Sequence, residues 1–544
     1  MLNIKLTSPR YGWAQGAPIC MSNLHHGIDP VIARWESGDG SAARQPGGNR
    51  LQGIPRRWVW LAGLLTLFSV FMFVDRQVPP IIIWDESRLA VNAFEMYRTG
   101  WSLVTTYGFM PDLWNTKPPL MIWLMTLSLH VFGPSELALR LPSMIAALGT
   151  LAIVFTFVRA NTKSLAAASI AVVLLGTSVG FYGEHGARTA DYDAVLCFFT
   201  TAYLALLFRS LHLPRPRWPL LFACGALIAA AVLTKTVAGI LPGVGAVAYA
   251  FLMNRHARIF LSYRYVLMGI CALFPLALFY ITRESIAPGY LDAVFYNDAI
   301  GRSSEQLDSH RNPPWFYPRE VFLGGLFSLG VLALLAPLAI RASKGRARLA
   351  AIFALCCFIS QFIGVSIVAT RLHQYILPGL PWLAIACAIG IHAQGRKLLA
   401  GGGGKLLGRK ELVIPLLLVA VAAANMVVRT GGMRYDLLLD RAYYPQAMYG
   451  DVLETLHNAG ETEVLVIEPG IDLGDRPNYI PQLRYYALVW QTRGLQVDRL
   501  VTLPERLPAR TVASCDPETG AKLLALGGAS IGRTGCSTLS ATIQ

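Results

Sequence analysis

Residues 118–132 read PPLMIWLMTLSLHVF, and where this stretch lies relative to a membrane decides the topology of everything that follows it. As a helix it covers roughly 23 Å, short of a hydrocarbon core of about 30 Å. Eleven other apolar stretches approach the necessary length, at roughly 58–75, 141–158, 164–182, 194–208, 218–234, 236–253, 265–282, 320–340, 349–369, 375–393 and 411–428. Composition agrees: of 544 residues 54% are hydrophobic and only 15% are charged, against about 25% charged in soluble domains. The chain reads as a polytopic membrane protein.

Loop charges settle the status of the short stretch. If 118–132 does not cross and Arg56 and Arg57 are cytoplasmic, loops 159–163, 209–217, 255–264, 341–348 and 396–410 all fall inside. Each is basic and nearly free of acid, as cytoplasmic loops are. Threading 118–132 through the membrane would turn them all outward. We therefore expect a juxtamembrane helix on the outer surface, opened by Pro118 and Pro119 after Thr116. The same placement explains the net charge of +15 as topology signals and contacts with membrane lipids, which excludes a nucleic-acid partner.

The expected architecture is an all-α polytopic membrane domain of about 11 transmembrane helices plus juxtamembrane helices, spanning 56–428. Its outer loops are 76–140 and 283–318. Residues 1–55 are polar and read as a disordered cytoplasmic tail. Residues 429–544 alternate helical and strand-like patterns, as in a small α/β domain on the outer, periplasmic side. Six of nine cysteines lie in apolar runs, while Cys515 and Cys536 lie in polar sequence. An oxidising compartment would let that pair bond; a reducing one would leave two thiols.

Residues able to do chemistry gather at the outer ends of the spans. The first loop carries Asp85, Glu86 and Arg88, then Asn115, Thr116 and Lys117. A second group holds Glu184, His185, Asp191 and Asp193; a third holds Arg371, His373 and Tyr375. Lys235 and His310 fall on the same side. Each group has a plain reading. Asp85 and Glu86 suit the first turn of any helix, Arg371 suits an interface, and Glu184 with His185 suits a solvated loop better than a metal site. No cofactor is assigned, and a divalent metal between the acids stays open. Convergence on one face favours function: carboxylates for acid/base work on a hydroxyl, and cations for a phosphate.

Several short motifs carry a resemblance. They are Asp85-Glu86 with Arg88, Lys117-Pro118-Pro119-Leu120, Arg140-Leu141-Pro142-Ser143, Ala187-Arg188 with Asp193, Leu233-Thr234-Lys235 and Tyr375-Ile376-Leu377-Pro378. From about residue 56 to 395 the chain resembles the GT-C membrane glycosyltransferases, in their aminoarabinose (lipid A) transferase-like branch, related to protein O-mannosyltransferases. The resemblance implies sugar transfer from a polyprenyl-phosphate donor to a lipid (lipid A-like), glycan or protein acceptor, at the outer face of a bacterial inner membrane. It implies Asp85 and Asp193 as catalytic acids and Arg88, Lys117, Arg371 and Tyr375 around the donor phosphate. Glu86, Lys235 and His310 would support them. Two positions depart from the pattern: Arg371 and His373 stand where relatives place lysines, and Thr236 stands where glycine usually follows Leu-Thr-Lys. A transporter or lipid flippase is the rival reading, but such proteins place polar groups near the midplane and often repeat their halves.

Overall fold

The computed structural model describes residues 55–73, 81, 85–253, 257–297, 312–328, 330–333, 336–400, 448–470, 478–531 and 534–540, with four isolated positions between 420 and 428. Among these, six helices are long and apolar enough to cross a membrane. They are Glu136–Thr162, Tyr192–Leu211, Trp218–Gly239, Tyr263–Ile286, Gly345–Ile367 and His373–Arg396. Shorter apolar helices lie at Arg57–Met72, Leu165–Gly176 and Leu241–Leu252. The protein is a multi-pass, mainly helical membrane protein.

Local chemistry marks the helix ends. The Ser135 hydroxyl accepts from the Ala138 amide and opens Glu136–Thr162; Ser164 does the same for Leu165–Gly176 through Ala167. Asp191 opens Tyr192–Leu211. Close packing needs glycine at Gly245, where an added Cβ would stand 2.4 Å from the Cys356 carbonyl oxygen.

Three expected spans are broken. Within 164–182 the helix stops at Gly176 and resumes only as Val179–Tyr182, because Thr177 and Ser178 turn their hydroxyls onto the carbonyls of Val173 and Leu174. Within 236–253, Thr236–Gly239 and Leu241–Gly243 are tight 3-10 turns around Pro242. The 320–340 stretch leaves the helix after Phe316–Phe322, over 323–328, and is helical again in Gly330–Ala333 and Ala336–Ala342. The 411–428 span lies outside the described residues apart from isolated positions, as does the tail 1–54.

The deciding stretch forms one helix, Leu120–Phe132. Its 13 residues reach about 20 Å. Met121, Ile122, Met125 and Leu129 are fully buried, while Leu127, Val131 and Phe132 are exposed. The inner face packs on Asp85–Thr99 and on Glu136–Thr162.

Between these elements, strands β1 (Thr106–Tyr107) and β2 (Met110–Pro111) form a small hairpin. The C-terminal region holds a five-stranded sheet in the order β4-β3-β5-β7-β6. Its strands are β3 (Glu463–Ile467), β4 (Gln496–Leu500), β5 (Thr511–Ser514), β6 (Ala529–Ser530) and β7 (Ser537–Leu539). β3 pairs in parallel with β4 and β5; β7 runs antiparallel to β5 and β6. Helices Tyr449–Asn458 and Pro481–Gln491 pack beside it, and Cys515 is disulfide-bonded to Cys536.

The apolar core falls into two large parts. One fills the helical bundle. The other joins Phe94 of Asp85–Thr99 and Met125 of Leu120–Phe132 to Tyr449, Leu483, Tyr486 and Trp490 of the C-terminal region. The sheet layer and the first loop therefore bury one another, and burial of a large side chain contributes about 1.5–3 kcal/mol.

Candidate functional site

Asp85–Thr99 begins with two acids that go opposite ways. Glu86 turns inward and takes Arg140 bidentately, at 2.6 and 2.9 Å, with both side chains about 3% exposed. Its Oε1 also accepts the Ala190 amide at 2.9 Å. One carboxylate thus ties together the first loop, the start of Glu136–Thr162 and the loop before Tyr192. Two such charges persist in an apolar setting only because each satisfies the other.

Asp85 is left partly exposed at the helix head. His185 and Asp191 come to meet it: one donor atom from each of the three lies within 4.8 Å of the others. His185 adopts φ 57°, a left-handed conformation uncommon outside glycine. Gly186 follows it in a turn so tight that an added Cβ would stand 2.3 Å from the Phe181 carbonyl oxygen. The ring is only 28% exposed and bonds through Nδ1 to the Asp191 carboxylate, so of the expected solvated pair Glu184 is in solvent and His185 turns inward. Burial alone would push the imidazole down, but Asp191 beside it raises it to about 9. Two carboxylates and an imidazole are donor types that a divalent ion takes, provided the ion displaces the His185 proton.

The cationic residues occupy different settings. Arg88 takes Asp112 through Nε at 3.0 Å and Nη2 at 2.7 Å, and its guanidinium lies 4.0 Å from the Tyr107 ring. Asp112 also accepts the amides of Trp114 and Asn115 and the side chain of Asn92. Arg88 thereby shapes the strand of chain leading to Lys117, and its charge is matched where it stands. Asn115 exchanges hydrogen bonds with the Tyr192 hydroxyl at 2.9 and 3.0 Å, and buried Lys117 holds Nζ 5.3 Å from the Tyr192 ring centre. Tyr192 is close enough to Asp85 and Asp191 to feel both carboxylates.

Asp193, one turn into its helix, pairs Oδ2 with Lys235 Nζ at 2.6 Å, and both are buried. The same ammonium is 5.3 Å from the centre of the Tyr375 ring. Tyr375 belongs to the 3-10 helix His373–Gly379, anchored where Gln361 donates to its carbonyl at 2.6 Å. Arg371 donates to the Ser366 and Asn312 carbonyls, which leaves its charge intact. His310 lies outside the described residues.

Sequence reasoning missed Arg283. This arginine ends Tyr263–Ile286, is 1% exposed, and stacks 4.5 Å from the centre of the Tyr290 ring. Tyr290 in turn donates to the Thr116 carbonyl at 2.8 Å, next to Lys117. Nη2 of Arg283 is buried without a hydrogen-bond partner. An arginine ending an apolar span reads as a snorkelling residue, and only the fold turns it inward.

The structure thus joins Asp85 to His185, Asp191 and Tyr192, and Asp193 to Lys235 and Tyr375. The acids are matched by cations, and buried Arg283 remains with an unanswered donor. A site of this kind suits an anion placed against a partly exposed carboxylate.

Residues 116–281 match the family described as dolichyl-phosphate-mannose-protein mannosyltransferase. The undecaprenyl phosphate-alpha-4-amino-4-deoxy-L-arabinose arabinosyl transferase of Pseudomonas aeruginosa (strain UCBPP-PA14) is 28% identical over 380 residues, 68% of this chain and 65% of that protein. Arabinosyl transferase 2 of the same description from Proteus mirabilis (strain HI4320) is 26% identical over 60% of this chain and 58% of its own length. The chain therefore spans just under two thirds of these two relatives. Among solved structures, ArnT from Cupriavidus metallidurans bound to undecaprenyl phosphate superposes with a TM-score of 0.63 at 18% identity, over 89% of this chain and 98% of that one. Its apo state gives 0.60.

Proposed function

We propose that this chain, a GT-C glycosyltransferase of the aminoarabinose transferase-like type, moves a sugar from a polyprenyl-phosphate donor to a lipid acceptor. The reading extends to about eleven spans, with the site and the C-terminal sheet on the periplasmic side of a bacterial inner membrane. One observation carries it most directly. A partly exposed carboxylate, Asp85, stands near buried Lys117 and Arg283, whose Nη2 has no hydrogen-bond partner. That suits a reaction that moves a proton at one end and releases a phosphate at the other.

In this mechanism an acceptor oxygen bonds to the anomeric carbon while the bond from that carbon to the phosphate oxygen breaks. The electron pair leaves with the polyprenyl phosphate. Asp85 takes the proton of an acceptor hydroxyl. If the acceptor is itself a phosphate it brings no proton, and Asp85 orients the sugar. Lys117, Arg283 and Arg371 meet the growing negative charge, with the Tyr375 hydroxyl as a hydrogen-bond donor. Asp193 keeps Lys235 against Tyr375. A divalent ion held by Asp85, His185 and Asp191 would supply Lewis-acid polarisation.

The test uses the full-length protein in lipid discs with a radiolabelled polyprenyl-phosphate sugar and a lipid A-like acceptor. Asp85→Asn and Lys117→Ala are expected to lower transfer about a hundredfold each, near 3 kcal/mol, with folding intact. Undiminished transfer by both variants would show that the site lies elsewhere. A transporter would instead move intact donor without breaking the sugar–phosphate bond. Cysteine labelling at 133–136 checks the topology, since cytoplasmic access there reverses every later loop.

A further inference from the structure

Neighbouring residues at the head of Tyr192–Leu211 each serve one buried lysine, by different means. Asp193 takes Lys235 through its carboxylate. Tyr192 meets Lys117 with its ring, whose centre lies 5.3 Å from Nζ. A carboxylate cancels the charge it binds. The face of an aromatic ring attracts an ammonium but leaves that charge able to act on a further anion.

The Tyr192 ring is pinned at both ends, and its side chain is 1% exposed. Its backbone amide donates to the Asp191 carboxylate at 2.6 Å. At the far end the hydroxyl donates to Asn115 Oδ1 at 3.0 Å and accepts from Asn115 Nδ2 at 2.9 Å. Asn115 is fixed in turn, because Nδ2 also donates to Asn92 Oδ1 at 3.0 Å. Asn92 donates to Asp112 Oδ2 at 3.1 Å, and Asp112 takes Arg88. The polar run that begins at Arg88 therefore ends on the Tyr192 hydroxyl, and every member of it is buried. A buried network satisfied in this way holds its members rigidly. With the hydroxyl committed to Asn115, the ring face is the part of Tyr192 able to act. Asp85 and Asp191 are both close enough to act on this tyrosine. An ammonium against the same ring has two anions nearby to which it would otherwise be drawn.

We infer that Tyr192 is a positioning residue for the transfer: its ring holds the Lys117 ammonium for the donor phosphate and keeps it from pairing with Asp85 or Asp191. The inference rests on the glycosyl-transfer reading and deepens it, since it names what fixes the cation that meets the leaving phosphate. The hydroxyl anchors the ring to Asn115 and takes no part in the chemistry.

The test places phenylalanine and its ring-fluorinated analogues at position 192 of the full-length protein in lipid discs. Each fluorine weakens the negative face of the ring and leaves its shape nearly unchanged, so folding is not at stake. Polyprenyl phosphate is titrated against each protein, with the polyprenyl alcohol as control. Tyr192→Phe should bind the phosphate within about threefold of wild type, three fluorines should weaken binding about tenfold, and one fluorine should fall between. Tyr192→Leu should lose at least as much as three fluorines. The alcohol should show no trend, and in Lys117→Ala protein the series should be flat because the ring has no ammonium to hold. Transfer assays should show the loss in the KM for the donor, with the KM for a lipid A-like acceptor unmoved. Equal phosphate binding by Tyr192→Phe and its trifluorinated form overturns the inference, as does a fluorine trend that survives in Lys117→Ala. Tyr192→Phe as weak as Tyr192→Leu also overturns it, because the hydroxyl would then be the acting group. Fluorine-sensitive binding in a protein that transfers no sugar leaves the ring–lysine contact standing and removes the glycosyl-transfer reading. Active wild type with fluorine-insensitive binding does the reverse.

Discussion

Asp193 and Lys235, 42 residues apart in sequence, meet as a buried ion pair with 2.6 Å between carboxylate and ammonium. Removing one partner of such a pair commonly costs about 3–5 kcal/mol, because the other charge is left buried alone. Asp193→Leu and Lys235→Met should each lower the midpoint of thermal unfolding in detergent, and the double variant should recover most of the loss. Transfer should stay low in all three, since Lys235 no longer faces Tyr375. A double variant with normal transfer would make the pair purely structural.

Adjacent acids should separate by role. Glu86→Gln strips half of the buried pair with Arg140 and should lower stability and activity together, by about 3 kcal/mol in unfolding free energy. Asp85→Asn changes a partly exposed group and should remove activity with a thermal midpoint near wild type. Parallel unfolding and activity measurements read the contrast.

Asp112 gives a pH dependence. Burial would raise its carboxyl, but the Arg88 guanidinium and its other donors hold it below the ordinary 3.8. A depressed carboxylate adds stability in full above its unfolded value and loses it as pH falls through the folded one. The thermal midpoint should therefore drop as pH falls below about 4. Asp112→Asn should be less stable at neutral pH and should show a shallower acid limb.

Thr236 sits at φ 43° and ψ −129°, immediately after Lys235, in a conformation that favours glycine. The sequence already marked it as a threonine where similar proteins usually carry glycine. Relief of that strain should make Thr236→Gly more stable by about 1 kcal/mol, with transfer retained. A lower unfolding midpoint would show that the threonine side chain contributes more than its backbone costs.

The Cys515–Cys536 bond closes a loop over a separation of 21 residues. A loop of that size is worth about 3 kcal/mol of chain entropy. Cys515→Ser should lower the midpoint accordingly, and intact-mass measurement of alkylated wild type should find two more thiols after reduction than before it, over and above the free cysteines of the helical region. An unchanged thiol count on reduction would mean that the pair is not bonded.

Hydropathy and loop charge carry far in this protein, because a bilayer imposes one length and one charge rule on every span. At 13 residues Leu120–Phe132 falls short of the six long apolar helices, and so does Leu165–Gly176 at 12, so the expectation for 118–132 rests on loop charge as well as length. Hydropathy and loop charge fail where a run of the right composition breaks, as at Thr177 and Ser178 or over 323–328, since a hydroxyl bonded to a carbonyl or a turn inside an apolar run is invisible to an average. Of the candidate site, the sequence picks out the acids and bases at span ends but not who neutralises whom. Arg88, expected at a phosphate, stands against Asp112, and Glu86 belongs to Arg140.

The chain's own order of residues thus determined that it is a polytopic membrane protein with ionisable groups at the ends of its apolar stretches. For PPLMIWLMTLSLHVF, counting length and loop charge yields an expectation of a surface helix, because length and charge are local sums. The tertiary structure alone decided that Asp85 meets His185 and Asp191, that Arg283 turns inward, and that the C-terminal region packs against the first loop. Those outcomes depend on contacts between residues up to four hundred positions apart, such as Ile81 with Tyr486, and no local pattern encodes such distances.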